Sequence, residues 1–283
     1  MRFIYLICVI LGISGQNILR KVFSEKTGGN GVYTFSTLSC LSATVFFALT
    51  ASEFHWNTEL LPYGIFFALS YGTATIFSIL ALSCGPLSLT ALISSFSLMI
   101  PTFYGLIFLK DPVSFGLYPG LALLSASLFL INKKSSGTKG FSLKWFLFVL
   151  LAFLGNGLCS VAQAMQQKRF DGQYKNEFMI TALLIVVGIM AIATLLKERK
   201  NAVKYIRAGW YLSLGCGTLN AMVNLFVMIL TGLMNVSLMF PLMSVGGIIV
   251  TFIVSKVFYK EKLSTAQHIG FLLGIGAIVF LNL

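Results

Sequence analysis

Ten stretches of mostly apolar residues run along this chain, separated by short breaks carrying charge or Gly/Pro punctuation. They fall at 3–23, 31–51, 62–84, 86–109, 115–132, 143–166, 177–196, 208–230, 233–258 and 265–282. Each is close to the roughly 20 apolar residues that a helix needs to cross a bilayer, so the pattern predicts ten membrane spans. The links between them are too short to form a soluble domain, which leaves any recognition to the helices and their ends. The expectation is an all-α membrane protein with one membrane domain and no cofactor.

Composition agrees with that pattern. Of the 283 residues 57% are hydrophobic and 10% are charged, against about a quarter charged in an ordinary soluble domain. The net charge of +12 could point to nucleic acid, but the basic residues cluster at helix ends, as in Lys133-Lys134 and Lys197-Glu198-Arg199-Lys200. That placement anchors helices at anionic headgroups, and no basic and aromatic stripe suited to a phosphate backbone accompanies it. The opening Met1-Arg2 and apolar run resemble a signal peptide without a convincing cleavage site, so the run is read as span one.

The chain also repeats itself. A shift of 150 lays Phe108-Leu109-Lys110-Asp111 on Phe258-Tyr259-Lys260-Glu261, Gly120 on Gly270 and Asn132 on Asn282, and a shift of 147 lays Gln16 on Gln163, Lys21 on Lys168 and Phe23 on Phe170. The two halves are 1–137 and 138–283. Five spans in each is an odd number, so the second half enters the bilayer in the opposite sense. Inverted repeats of this kind are a recurring plan of secondary transporters.

The segments Pro101 to Asp111 (PTFYGLIFLKD) and Val250 to Leu263 (VTFIVSKVFYKEKL) carry an apolar helix, a basic or small residue and an acid before the last span of each half. In this the chain resembles the drug/metabolite transporter superfamily, and within it the ten-span EamA type built of two tandem five-helix units. The resemblance covers nearly the whole chain. It implies a central cavity lined by spans one to four and six to nine, with spans five and ten peripheral.

Polar residues inside the spans give the candidate substrate site. Span six carries Asn156, Ser160, Gln163 and Gln167 at steps of four, three and four, along one helix face. Span eight adds Asn220 and Asn224, and span one adds Gln16 and Asn17. Spans three and four supply Tyr71, Thr75 and Ser78, then Ser94, Ser97 and Tyr104, and the repeat places Ser244 opposite Ser94. The alternative is that each group only bonds helix to helix. Pro101, Pro241, Gly246 and Gly247 are candidate hinges in spans four and nine, with a static kink as the other reading. Glycines at GxxxG spacing, Gly116 with Gly120 and Gly270 with Gly274, suit close packing inside the chain or a dimer seam, so a monomer or a homodimer is expected.

Charged residues narrow the choice of function. All eight acids lie in loops or at helix ends, which disfavours proton-driven export of cationic drugs. Asp111 and Glu261 each follow a lysine and are read as ion-paired helix ends. Arg20, Lys21, Lys168, Arg169 and Lys256 stand near span ends, where they could hold an anionic group or snorkel to headgroups; Lys21, Lys168 and Lys256 are taken as the possible anion contacts. His55 and His268 are read as isolated interfacial residues, and the five cysteines as small packing residues with no metal-ligand spacing. Of the 20 Lys and Arg, 15 fall in alternate loops, which by the positive-inside rule puts the termini outside, whereas relatives of the resembled family generally have both inside.

The leading expectation is a multi-pass cell-membrane transporter that exports or exchanges a small polar metabolite such as an amino acid by alternating access. Its alternatives are a transporter of an anionic sugar- or phosphate-containing solute and, in another class, a non-transporting membrane partner subunit. A membrane enzyme would need acid/base or metal residues clustered at one interface, and the sequence offers none.

Overall fold

The computed structural model describes residues 2–51, 53–84, 96–113, 115–131, 143–257 and 265–281. Among these residues the secondary structure is helical, with no strand. Ten α-helices follow in order: α1 Arg2–Thr27, α2 Val32–Thr50, α3 Leu61–Cys84, α4 Met99–Ile107, α5 Leu117–Ile131, α6 Leu143–Arg169, α7 Lys175–Lys197, α8 Ala202–Leu233, α9 Val236–Val257 and α10 Thr265–Leu281. Six stretches, in α1, α2, α6, α7, α8 and the helical run Thr58–Ser78, are long and apolar enough to cross a membrane. Of the fourth expected span, 86–95 lies outside the described residues, and α4 follows a short 3-10 turn, Phe96–Leu98.

Large apolar side chains stand exposed along whole helix faces. Phe3, Ile7 and Leu11 do so on α1, Leu41, Val45 and Leu49 on α2, and Leu143, Leu147, Leu150 and Leu154 on α6. Their spacing of three and four residues makes each set one continuous stripe. Such stripes are incompatible with water and suit lipid, so the chain is a helical membrane protein by both length and surface. Hydroxyls are cheap in such helices because each can donate to its own helix one turn back. Ser14 donates to the Ile10 carbonyl at 3.0 Å, Thr44 to Cys40 at 2.9 Å and Thr181 to Glu177 at 2.8 Å.

The chain forms two compact units, each drawn from both sequence halves. The first comprises Met1–Gly72 and Met165–Gly232, the second Thr73–Ala164 and Leu233–Leu283. In the first, α2 packs on α7, and α2 meets α8 through Ser39 and Ser42, whose hydroxyls donate to the Ser213 and Leu214 carbonyls at 3.1 and 3.0 Å. Also here, α3 meets α7 where Gly64 faces Thr181 and the Phe67 and Phe178 rings lie edge to face.

In the second unit α5 packs on α10, and α4 and α10 pack on α9. The Ser127 hydroxyl donates to the Gly270 carbonyl at 2.6 Å, and Gly274 sits against the same serine. The glycine spacing of α10 thus serves close packing within the chain. Here α3 also meets α6, through Phe77 on Phe148 and through Ala81 with Trp145 and Val149.

Helix α8 begins six residues before the span at 208–230 predicted from the sequence. Non-helical backbone at Gly209 (φ −164°, ψ 33°) separates a short polar lead carrying Lys204 and Arg207 from the apolar body. A Cβ at Gly209 would come within 2.6 Å of the Phe23 ring, so glycine lets α8 bend against α1 there.

Two of the acids, Asp111 and Glu198, act as helix caps, which corrects the ion-pair reading of Asp111. That residue is buried, and its carboxylate accepts from the Ser237 N–H at 2.9 Å in the first turn of α9. Likewise Glu198, past the end of α7, accepts from the Tyr33 and Thr34 amides at 3.1 and 2.8 Å and from the Thr34 hydroxyl at 2.6 Å, closing the open start of α2. A carboxylate at a helix N-terminus satisfies orphan amides and meets the positive end of the helix dipole. Replacing Glu198 by Ala is expected to destabilise the protein by about 1–3 kcal/mol, read as a lower unfolding midpoint in detergent, with Glu198→Gln recovering part of the loss. An unchanged midpoint for the alanine variant would remove this role.

His55 is likewise not isolated. Its Nε2 lies 3.9 Å from Glu53, and its amide donates to Glu177 at 3.3 Å.

Candidate functional site

The best-built polar constellation lies in the first unit, where α1 and α8 run side by side in opposite directions. Three glycines let the two helices approach. A Cβ at Gly12 would come within 2.5 Å of Val223, one at Gly15 within 3.0 Å of Leu219, and Gly215 faces Leu19 at 3.4 Å. Two polar rungs then cross the seam. Gln16 is buried and its Oε1 accepts from Asn220 Nδ2 at 3.1 Å. Asn224, one turn along α8, donates to the Asn220 side chain at 3.0 Å and to its carbonyl at 2.8 Å. Such amide contacts contribute about 0.6 kcal/mol each, which is modest, so this rung fixes register more than it supplies stability.

One turn further along α1 comes the second rung. The α1–α8 seam brings Arg20 close to Cys216, and Tyr71 of α3 and Cys40 of α2 lie within its electrostatic reach. Tyr71 stands next to Cys40, and the Ser39 hydroxyl, which donates to the Ser213 carbonyl at 3.1 Å, stands next to Cys216. Tyr71 also stacks on Phe67 with ring centroids 5.9 Å apart. Cys40 and Cys216 are both buried, and neither is in a disulfide. Arg20 itself remains solvent-accessible, while Gln16 before it and Phe23 after it are buried.

The charge of Arg20 has no opposite partner among the described residues. The ion pairs there are His55 with Glu53 and, at 3.7 Å and fully at the surface, Arg169 with Glu59. With a rise of 1.5 Å per residue, Arg20 sits about 10 Å inside the C-terminal end of α1. An arginine in an apolar segment costs a few kcal/mol at the helix centre. Snorkelling reduces that cost for side chains that reach the headgroups; this guanidinium is solvent-accessible and has Cys216, Tyr71 and Cys40 within its electrostatic reach.

The other candidate residues are distributed more widely. On α6, Asn156 is exposed, Ser160 half-buried and Gln163 buried, each in the second unit. Gln167, in the first unit, is buried and donates to Gln166, whose own amide donates to the Gln173 carbonyl at 2.9 Å. Gln166, which the stripe of polar residues did not include, is fully buried. Thr75 and Ser244 are half-buried, and Ser97 is buried in the turn before α4. Tyr104 stacks on Phe108 with centroids 5.4 Å apart.

Ser94 lies outside the described residues, as do the side chains of Lys21 and Lys256, while Lys168 is exposed in the last turn of α6. Of the hinge candidates, Pro101 is the third residue of α4, where its missing N–H leaves little unsatisfied. Pro241 lies inside α9, with Gly246 and Gly247 on the same helix.

No family model matches this sequence, and no curated protein matches it. Among solved structures 29 chains do match. One crystal structure superposes with a TM-score of 0.76 over 99% of this chain and 95% of that chain, at 14% sequence identity. At that identity the likeness concerns the course of the backbone alone, and substrate must be argued from this chain's own residues.

Proposed function

We propose that the chain is a secondary transporter of the drug/metabolite type, an exporter or exchanger that carries a small polar metabolite, such as an amino acid, across the cell membrane by alternating access. The observation that carries this reading is how the helix contacts behave when α1–α5 are exchanged with α6–α10. The exchange turns the α1–α8 seam into the α6–α3 contact, and the α2–α8 contact into α7–α3. It leaves the pairs α2–α7, α4–α9 and α5–α10 unchanged. That these contacts survive the exchange supports two equivalent halves of five spans, and hence an inverted repeat.

Two such halves can adopt each other's conformations in turn, which is the physical basis of alternating access. In this reading amides and hydroxyls supply the neutral part of substrate binding, and a tyrosine such as Tyr71, stacked on Phe67 and next to Arg20, closes over it. No covalent step is required of any residue.

The test is counterflow. Purified protein is reconstituted in liposomes preloaded with unlabelled amino acids, carboxylates, phosphorylated sugars or neutral sugars, and entry of the labelled compound is followed. At least one compound is expected to accumulate about tenfold over protein-free vesicles. Equal entry with and without protein across the whole panel would overturn the transporter reading.

A further inference from the structure

Resting on that reading, we infer that Arg20 is the docking point for an anionic group, a carboxylate or a phosphate, of the transported solute. Three observations meet at this residue. It is a cation about 10 Å before the end of α1, where the apolar run gives way to Lys21, Glu25 and Lys26, and no carboxylate is paired with it among the described residues. It is solvent-accessible between buried neighbours one turn away on either side. The close α1–α8 approach sets it beside Cys216, with Tyr71 and Cys40 within its electrostatic reach, and all three are neutral groups.

A guanidinium offers five N–H donors in a planar fork. A thiol and a phenol engage few of them, so most of the fork is left for a ligand that accepts two parallel hydrogen bonds. Carboxylates and phosphates have that shape and the opposite charge. The Gln16–Asn220 rung one turn away holds α1 and α8 in register, which fixes where the Arg20 side chain leaves α1 before any ligand arrives and lowers the entropy lost on binding. The same chemistry is found in a soluble anion and in the headgroup of an anionic lipid, and the experiment separates them.

Melting of the purified full chain in detergent is measured with inorganic phosphate, succinate, glutamate, glucose and phosphatidylglycerol, for the wild type, Arg20→Lys and Arg20→Gln. At least one soluble anion is expected to raise the midpoint of the wild type. Its apparent affinity should fall about tenfold in Arg20→Lys, which keeps charge but loses the fork, and the shift should vanish in Arg20→Gln. Glucose should give no Arg20-dependent shift. The inference is overturned if anion shifts persist in Arg20→Gln, if only neutral compounds stabilise the protein, or if phosphatidylglycerol alone gives an Arg20-dependent shift.

A variant-free measurement covers the case in which substitution disturbs folding. Phenylglyoxal labelling of the native protein, located by mass spectrometry, is expected to modify Arg20 and to be slowed there by the stabilising anion, with no protection of Arg199. Absence of labelling at Arg20, or equal labelling with and without the anion, also overturns the inference. Counterflow distinguishes the two levels of the argument. Arg20-dependent binding without flux sinks the transporter reading and spares the site, whereas flux of a neutral solute untouched by Arg20→Gln does the reverse.

Discussion

Replacing Gly217 by Ala is expected to destabilise the first unit by at least about 3 kcal/mol, the upper end of the usual penalty for overpacking. The added Cβ would stand 2.2 Å from the Ser39 carbonyl oxygen, 2.9 Å from its carbon and 2.7 Å from the Ser42 Cβ. Two of those atoms are backbone of α2, so no rotamer change can relieve the contact; α2 and α8 must separate. Separation would stretch the bonds from Ser39 and Ser42 to the α8 carbonyls and move Ser39 off Cys216. The controls are Gly188→Ala and Gly232→Ala, where a Cβ meets nothing within 4 Å. These should be neutral or stabilising by up to about 1 kcal/mol, since alanine is the better helix former. Midpoints of thermal unfolding in detergent decide the matter, and a Gly217→Ala midpoint equal to those of the controls would contradict the close α2–α8 approach.

Much of the fold was legible in the sequence because a bilayer imposes one strong requirement, apolar runs long enough to cross it. The limits of α2, α3, α6 and α7 fall within about three residues of the runs read from the sequence. The start of α8 was hidden because Lys204 and Arg207 interrupt the apolar pattern, although the backbone is already helical there up to the bend at Gly209. The placement of Pro101 depended on a 3-10 turn that hydropathy does not mark.

The candidate site was legible as a set of faces but not as a set of partners. Periodicity shows that Asn220 and Asn224 share a face; it does not show that Gln16 is what they meet. Arg20 and Lys21 are neighbours in sequence, yet successive residues on a helix point about 100° apart, so one can face the bundle while the other faces elsewhere. Placing Arg20 beside Cys216 needed α8 in position along α1. Cys216 was passed over for the same reason. A thiol in an apolar run resembles a packing residue until a guanidinium is found beside it. The acids, too, gave no sign of their partners, because a cap such as Glu198 on α2 joins residues more than 160 positions apart.

A second large effect is expected at Gly157, where α4 and α6 meet in the second unit. Here an added Cβ would lie 2.4 Å from the Ile100 Cδ1, 2.7 Å from its Cβ and 2.8 Å from the Ser97 carbonyl oxygen. The first clash is with the end of a flexible side chain and can be relieved; the other two cannot without moving the turn that precedes α4. Gly157→Ala is therefore expected to cost about 2–3 kcal/mol. Adding Ile100→Ala should restore less than half of that, because it removes only the outer atoms of the isoleucine. Full restoration would mean that side-chain packing alone sets the α4–α6 distance, and no loss at all would mean that the helices do not approach this closely. Ser97 stands in the turn whose position Gly157 fixes. A variant that still folds should therefore bind its solute more weakly if Ser97 contributes to the substrate contacts, whereas Gly188→Ala should leave binding unchanged.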